Sequence, residues 1–154
     1  MNDYENLLEE AHKLGTTVIE IDLGTDKPCG KCVNNIIFIN SKISIKDKYC
    51  ILAEELGHYK LTVGNITDQS NVSNRKQELV ARRWGNKKLV RLLDLIKCYK
   101  HGAKTRYEIA EFLGVTENFL QESIHYYRAK YGTCFVIDNY TIYFEPYLGI
   151  MEMF

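Results

Sequence analysis

The run EELGH at residues 54–58 holds the spacing in this chain best suited to chemistry. The helix signature of zinc proteases is H-E-x-x-H, where two histidines one turn apart hold the metal and the glutamate is the general base. Here Glu54 stands at the first histidine position. Residues i and i+4 of a helix share a face. Glu54 and His58 therefore point the same way and offer a cation one carboxylate oxygen and one imidazole nitrogen. Glu55 lies one position round, beside the metal position, where the base of the signature sits. Zinc accepts both donor types, and its catalytic sites use three protein ligands plus water. The candidate for the third ligand is Glu78, at the start of the next long helix. In ELVARRW, Glu78, Ala81 and Trp84 fall at i, i+3 and i+6, so a small residue sits where that helix would pack under the first. A Glu/His/Glu set is harder and more anionic than two histidines with a glutamate. Zn²⁺ is the expected ion, with Mn²⁺, Fe²⁺ or another divalent metal also suited.

These residues need elements to hold them. Leu7, Leu8, Ala11 and Leu14 recur at helical spacing, which predicts a helix over 3–14 with Gly15 as the stop. TTVIEIDL alternates as a strand does, GTDKPCGKC reads as a turn, and NNIIFIN reads as a second strand of a small sheet. Ser44 is placed to cap a helix running to about Leu61, directly after that strand. Gly57 in its interior costs about 1 kcal/mol against Ala, so a close approach is expected there, with small Ala53 alongside. TVGNITDQSNVSN reads as a polar loop. One long helix is expected over roughly 74–100, with Leu89, Leu92, Leu93 and Ile96 as its apolar stripe and Gly102 ending it. TRYEIAEFLGVTENFLQESIHYYRAKYG reads as two helices around Leu113-Gly114-Val115, the second capped by Thr116 and burying Leu120, Ile124, Tyr127 and Tyr131. TCFVIDNYTIYFEP reads as a hairpin turning at DN.

The chain has 154 residues, the size of one domain, with 45% hydrophobic and 26% charged residues, ordinary for a globular core. Acids and bases balance to a net charge of 0, so nothing global demands nucleic acid or a membrane surface. No apolar run is long enough to span a bilayer, and the acidic N-terminus is unlike a secretion signal. A cytosolic protein is expected. Its five cysteines then read as free thiols. CGKC precedes a strand and lacks a second cysteine pair, so Cys29 and Cys32 read as turn residues rather than a redox or zinc motif. Cys50 reads as a small core residue. Segment 75–106 holds eleven Lys/Arg against two acids, a net +9, and reads as a solvated helix face.

Taken together, VIEID, NNIIFIN, ILAEELGHYKLTVGNI, NRKQELVARRWGNKKLV and the helical pair span nearly the whole chain and resemble the ImmA/IrrE family of metallopeptidases, found on mobile elements such as phages and in bacterial genomes. The resemblance implies an α+β fold in a single domain, 1–154. A zincin-like core (1–100) would hold the small β-sheet and the active-site helix pair; helix-turn-helix-like helices and a C-terminal β-hairpin would form 103–154. It also implies His58 and Glu78 as metal ligands and Glu55 as base, with Glu54 at the position that departs from the family pattern. The activity implied is that of a cytosolic protease cutting a repressor protein to relieve repression.

With a metal in place, Glu55 would take a proton from the activated water and pass it to the leaving amine. An extended substrate would add to the sheet edge along NNIIFIN. Tyr59 and His12 both stand as donors to the oxyanion. Two rival functions follow from the same residues. Residues 105–127, with Ala110, Gly114 and Ile124 at small, turn and core positions, suit a DNA-binding helix-turn-helix, although Glu117 and Glu122 would face phosphate. The other rival is an inactive domain that binds a repressor without cutting it.

Overall fold

The computed structural model describes residues 2–61 and 72–154, with side chains from Arg75 onward in the second segment. Two compact units divide the chain, Met1–Gly85 and Asn86–Phe154.

The first unit opens with α1 (Asp3–Lys13), whose Asn2 cap accepts the Glu5 N–H while Glu5 accepts the Asn2 N–H. Strands β1 (Thr17–Ile21), β2 (Gly30–Val33) and β3 (Ile36–Asn40) form one sheet in the order β1-β3-β2. β3 is parallel to β1 and antiparallel to β2. The expected turn over GTDKPCGKC thus contains a strand, and the expected strand NNIIFIN begins two residues late. Asn34 and Asn35 are the two-residue turn between β2 and β3, with Asn34 at φ 56°, a conformation asparagine tolerates. β3 is the central strand, so the substrate edge expected along it is already paired on both sides; this corrects the sequence expectation.

Helix α2 (Ile45–Leu61) follows β3. Ser44 caps it by accepting the Asp47 N–H. One side of α2 lies on β2 and β3, and α1 packs against it. Leu7, Ala11, Ile37, Ile39, Leu52, Ala53 and Leu56 form the core between these layers. The polar loop expected over 62–74 lies outside the described residues as far as 71, and α3 runs Val72–Leu89.

The single helix expected over 74–100 is two helices. The backbone is extended at Arg91, and α4 (Leu92–Lys100) begins there. Asp94 accepts the Arg91 N–H and also binds its guanidinium at 2.9–3.0 Å. The break resets the helical phase: Leu95, Ile96 and Cys98 are buried, while Leu93 is 52% exposed. α5 (Arg106–Leu113) and α6 (Glu117–Tyr131) flank Gly114, which takes the left-handed conformation at φ 73°, and Thr116 caps α6 as expected. β4 (Cys134–Ile137) and β5 (Tyr140–Tyr143) turn at Asp138-Asn139. A third strand, β6 (Gly149–Glu152), which the sequence did not suggest, pairs with β5. Leu120, Ile124, Tyr127, Ile142 and Phe144 are buried in this second unit. The architecture is α+β, as expected.

Candidate metal centre

The helix α2 turns Leu52, Ala53 and Leu56 fully inward. With that face committed to the core, Glu54 and His58 are left half-buried on one side. α3 meets α2 backbone to backbone. A Cβ on Gly57 would overlap the Ala81 carbonyl, and one on Gly85 would stand 3.2 Å from the Ala53 carbonyl carbon and the Glu54 nitrogen. The close approach expected at Gly57 is therefore present, and Ala81, fully buried, is the residue that receives it.

The crossing carries Glu78 to His58. Nε2 of His58 lies 3.1 Å from Oε1 of Glu78. Glu54, His58 and Glu78 each offer one donor atom, and the three atoms lie within 4.8 Å of one another. Zinc bonds of about 2.0–2.2 Å place tetrahedral donors roughly 3.3–3.6 Å apart. The His58–Glu78 spacing of 3.1 Å falls just short of this range, and the widest donor separation, within 4.8 Å, would have to shorten by about 1 Å around an ion. By donor chemistry and spacing, these residues fit a divalent ion.

Glu55, one position round the helix, is buried at 8% exposure. Burial, then the charges of Glu54 and Glu78, push its carboxyl up to about 8. β2 runs against it: a Cβ on Gly30 would sit 3.4 Å from Glu55 Cγ. Cys32, on the same strand, is pushed up to about 11 by burial and then by the Glu55 charge. Cys32 thus lies in an edge strand beside the candidate base rather than in a turn, while Cys29 falls just before that strand. Cys50 is buried, as expected of a core residue.

The two oxyanion candidates fare differently from the ligands. Tyr59 donates its hydroxyl to the Leu14 carbonyl at 3.2 Å. His12 is exposed on α1. The residue that sequence reasoning passed over is Arg82, whose Nε stands 3.9 Å from Glu54 Oε1. Its place one turn after Glu78 is visible in the sequence, but there it is one of the eleven Lys/Arg of the basic segment 75–106. In the second unit, Glu117 at the start of α6 pairs with Arg106 at 3.6 Å.

A small mixed sheet backed by a donor-bearing helix, with a second helix crossing it, is the zincin-like arrangement, and the class it defines is the metal-dependent peptidases. The chain belongs to one family of that class. The family described as Peptidase_M78, the IrrE N-terminal-like domain, matches residues 11–125, from within α1 to within α6. No curated protein and no solved structure matched the chain. A divalent metal goes with the class, and a protein is its substrate. Among the described residues no helix is long and apolar enough to cross a membrane.

Proposed function

We propose that this chain is an endopeptidase that cuts a regulatory protein of the repressor type, using Glu54, His58 and Glu78 to hold a divalent ion and Glu55 to move the proton. The observation that supports it most is the convergence of Glu78 on His58 across the helix crossing, with a buried carboxyl one residue from Glu54. Zinc is the first ion to test, with manganese beside it, because two carboxylates make the donor set hard.

An ion held there would supply an acidified water and a polarised scissile carbonyl. The rest falls to the protein. Burial and the charges of Glu54 and Glu78 raise the Glu55 carboxyl in the metal-free chain, and the charge of a bound ion would favour its carboxylate, which would accept the water's proton and then deliver it to the leaving amine. β2, not β3, is the edge strand beside Glu55. An extended substrate segment pairs there through backbone N–H and C=O groups, with Gly30 leaving room beside the base.

The test is to incubate the zinc-loaded chain with a native protein extract and label new protein N-termini. The reading expects cuts within DNA-binding regulators that vanish with Glu55→Gln. An absence of new termini, or the same termini with Glu55→Gln, would overturn it.

A further inference from the structure

Arg82 lies one turn beyond Glu78 on α3, so both side chains leave the same helix face. From there its Nε stands 3.9 Å from Glu54 Oε1, across the crossing with α2. That separation is longer than a hydrogen bond, so the contact is electrostatic. The guanidinium is 44% exposed and the Glu54 carboxylate 26%, which leaves the pair partly screened.

The formal charges give this contact meaning. Two imidazoles and one carboxylate make a donor set of charge −1. Replacing one imidazole by Glu54 makes it −2. Arg82 returns one positive charge at the substituted position. A guanidinium cannot deprotonate under working conditions, so its charge is permanent. It attracts the same carboxylate that a divalent ion would need, and it repels the ion.

We propose that Arg82 is a counter-charge to Glu54 and competes with the metal for that carboxylate, so that the chain loads its ion more weakly than its three donors alone would. This rests on the reading of Glu54, His58 and Glu78 as the metal site. Arg82 acts through Glu54 and is a positioning residue. Its effect is on metal occupancy, which can be measured without any substrate.

The experiment is a titration of full-length chains with Zn²⁺ alone against a chromophoric chelator at low ionic strength. The chains are wild type, Arg82→Gln, Arg82→Lys, Glu54→His, the Glu54→His/Arg82→Gln double variant, and His58→Ala. Arg82→Gln should bind zinc about tenfold tighter than wild type, as expected for removing a unit charge a few ångströms from the ion in a partly screened site. Arg82→Lys keeps the charge without the planar fork and should stay near wild type. In the Glu54→His background, the same Arg82→Gln change should give a smaller gain. Unchanged or weaker binding by Arg82→Gln would overturn the proposal. So would an equal gain in both backgrounds, which would mark Arg82 as a remote charge. Far-UV circular dichroism checks folding, and Arg82→Met, which also removes the charge, carries the test if Arg82→Gln is damaged. If no chain binds zinc in a His58-dependent way, the metal-site reading fails and this inference fails with it. His58-dependent zinc binding that Arg82→Gln leaves untouched removes the inference alone.

Discussion

His58 Nε2 and Glu78 Oε1, twenty residues apart in sequence, stand 3.1 Å from each other on two helices. That contact is either an imidazole–carboxylate pair or two-thirds of a ligand set, and metal counting separates the two. Elemental analysis of chain purified without chelator should give about one divalent ion per chain, as three protein ligands plus water imply. His58→Ala and Glu54→Ala should each lose it. An ion retained by both variants would place the metal elsewhere.

Glu55→Gln should keep the metal and lose cleavage, because glutamine preserves the side-chain shape but cannot accept the proton. The loss expected of a general base is about 10²–10⁴-fold in kcat. Retained cleavage would remove Glu55 from the chemistry.

The chelated protein should lose stability as pH rises. The Glu55 carboxyl is raised from 4.5 to about 8 in the folded chain. Between those values the folded state keeps a proton that the unfolded state has released, so unfolding is progressively favoured as pH climbs. The favourable contribution is fully present below about 4.5 and gone above about 8. Melting temperatures in EDTA should therefore fall across this window, and Glu55→Gln should flatten the slope. An equal slope in the variant would assign it to other groups.

Gly57→Ala should destabilise, although helix propensity alone favours it by about 1 kcal/mol. The added methyl would overlap the Ala81 carbonyl, a backbone atom that cannot rotate away. Overpacking of this kind costs about 1–3 kcal/mol. Gly85→Ala, whose nearest neighbours would be at 3.2 Å, should cost less. Thermal melts of the two variants read the order directly, and a stabilised Gly57→Ala would mean the helices can separate.

Cys32 should react slowly with iodoacetamide at pH 8 in the native chain, since burial and the Glu55 charge push its thiol up to about 11. Mass spectrometry after timed alkylation measures it. Rapid modification would return CGKC to the list of reactive motifs.

Much of this was legible in local chemistry. Ser44, Thr116 and Gly114 announced helix ends because a cap and a left-handed turn each need a particular residue type at one position. Asp138-Asn139 announced a hairpin for the same reason. Glu54, His58 and Glu78 could be gathered because helical spacing fixes the first two and Gly57 signalled where another helix must come close. The break at Arg91 was hidden. An Arg–Asp pair three residues apart reads the same inside a continuous helix as it does when the aspartate caps a new one. Strand order was hidden too. The β-rich run in NNIIFIN reports a strand, whereas central or edge position depends on which segments pair with it. Arg82 was obscured by its own neighbourhood of basic residues, since only the crossing of α3 on α2 turns one of them toward Glu54.

β2 is four residues long and ends the sheet beside Glu55. A guest strand laid along so short a rail gains few backbone bonds, and a short unstructured peptide would be held loosely. The same shortness asks little of a folded target. On the proposed reading, a protein would need to release only a loop or tail of comparable length, with the rest of its body intact, to be threaded past Glu55. An enzyme of this shape would trim what another protein already exposes, and its selectivity would lie in which proteins let a short segment go.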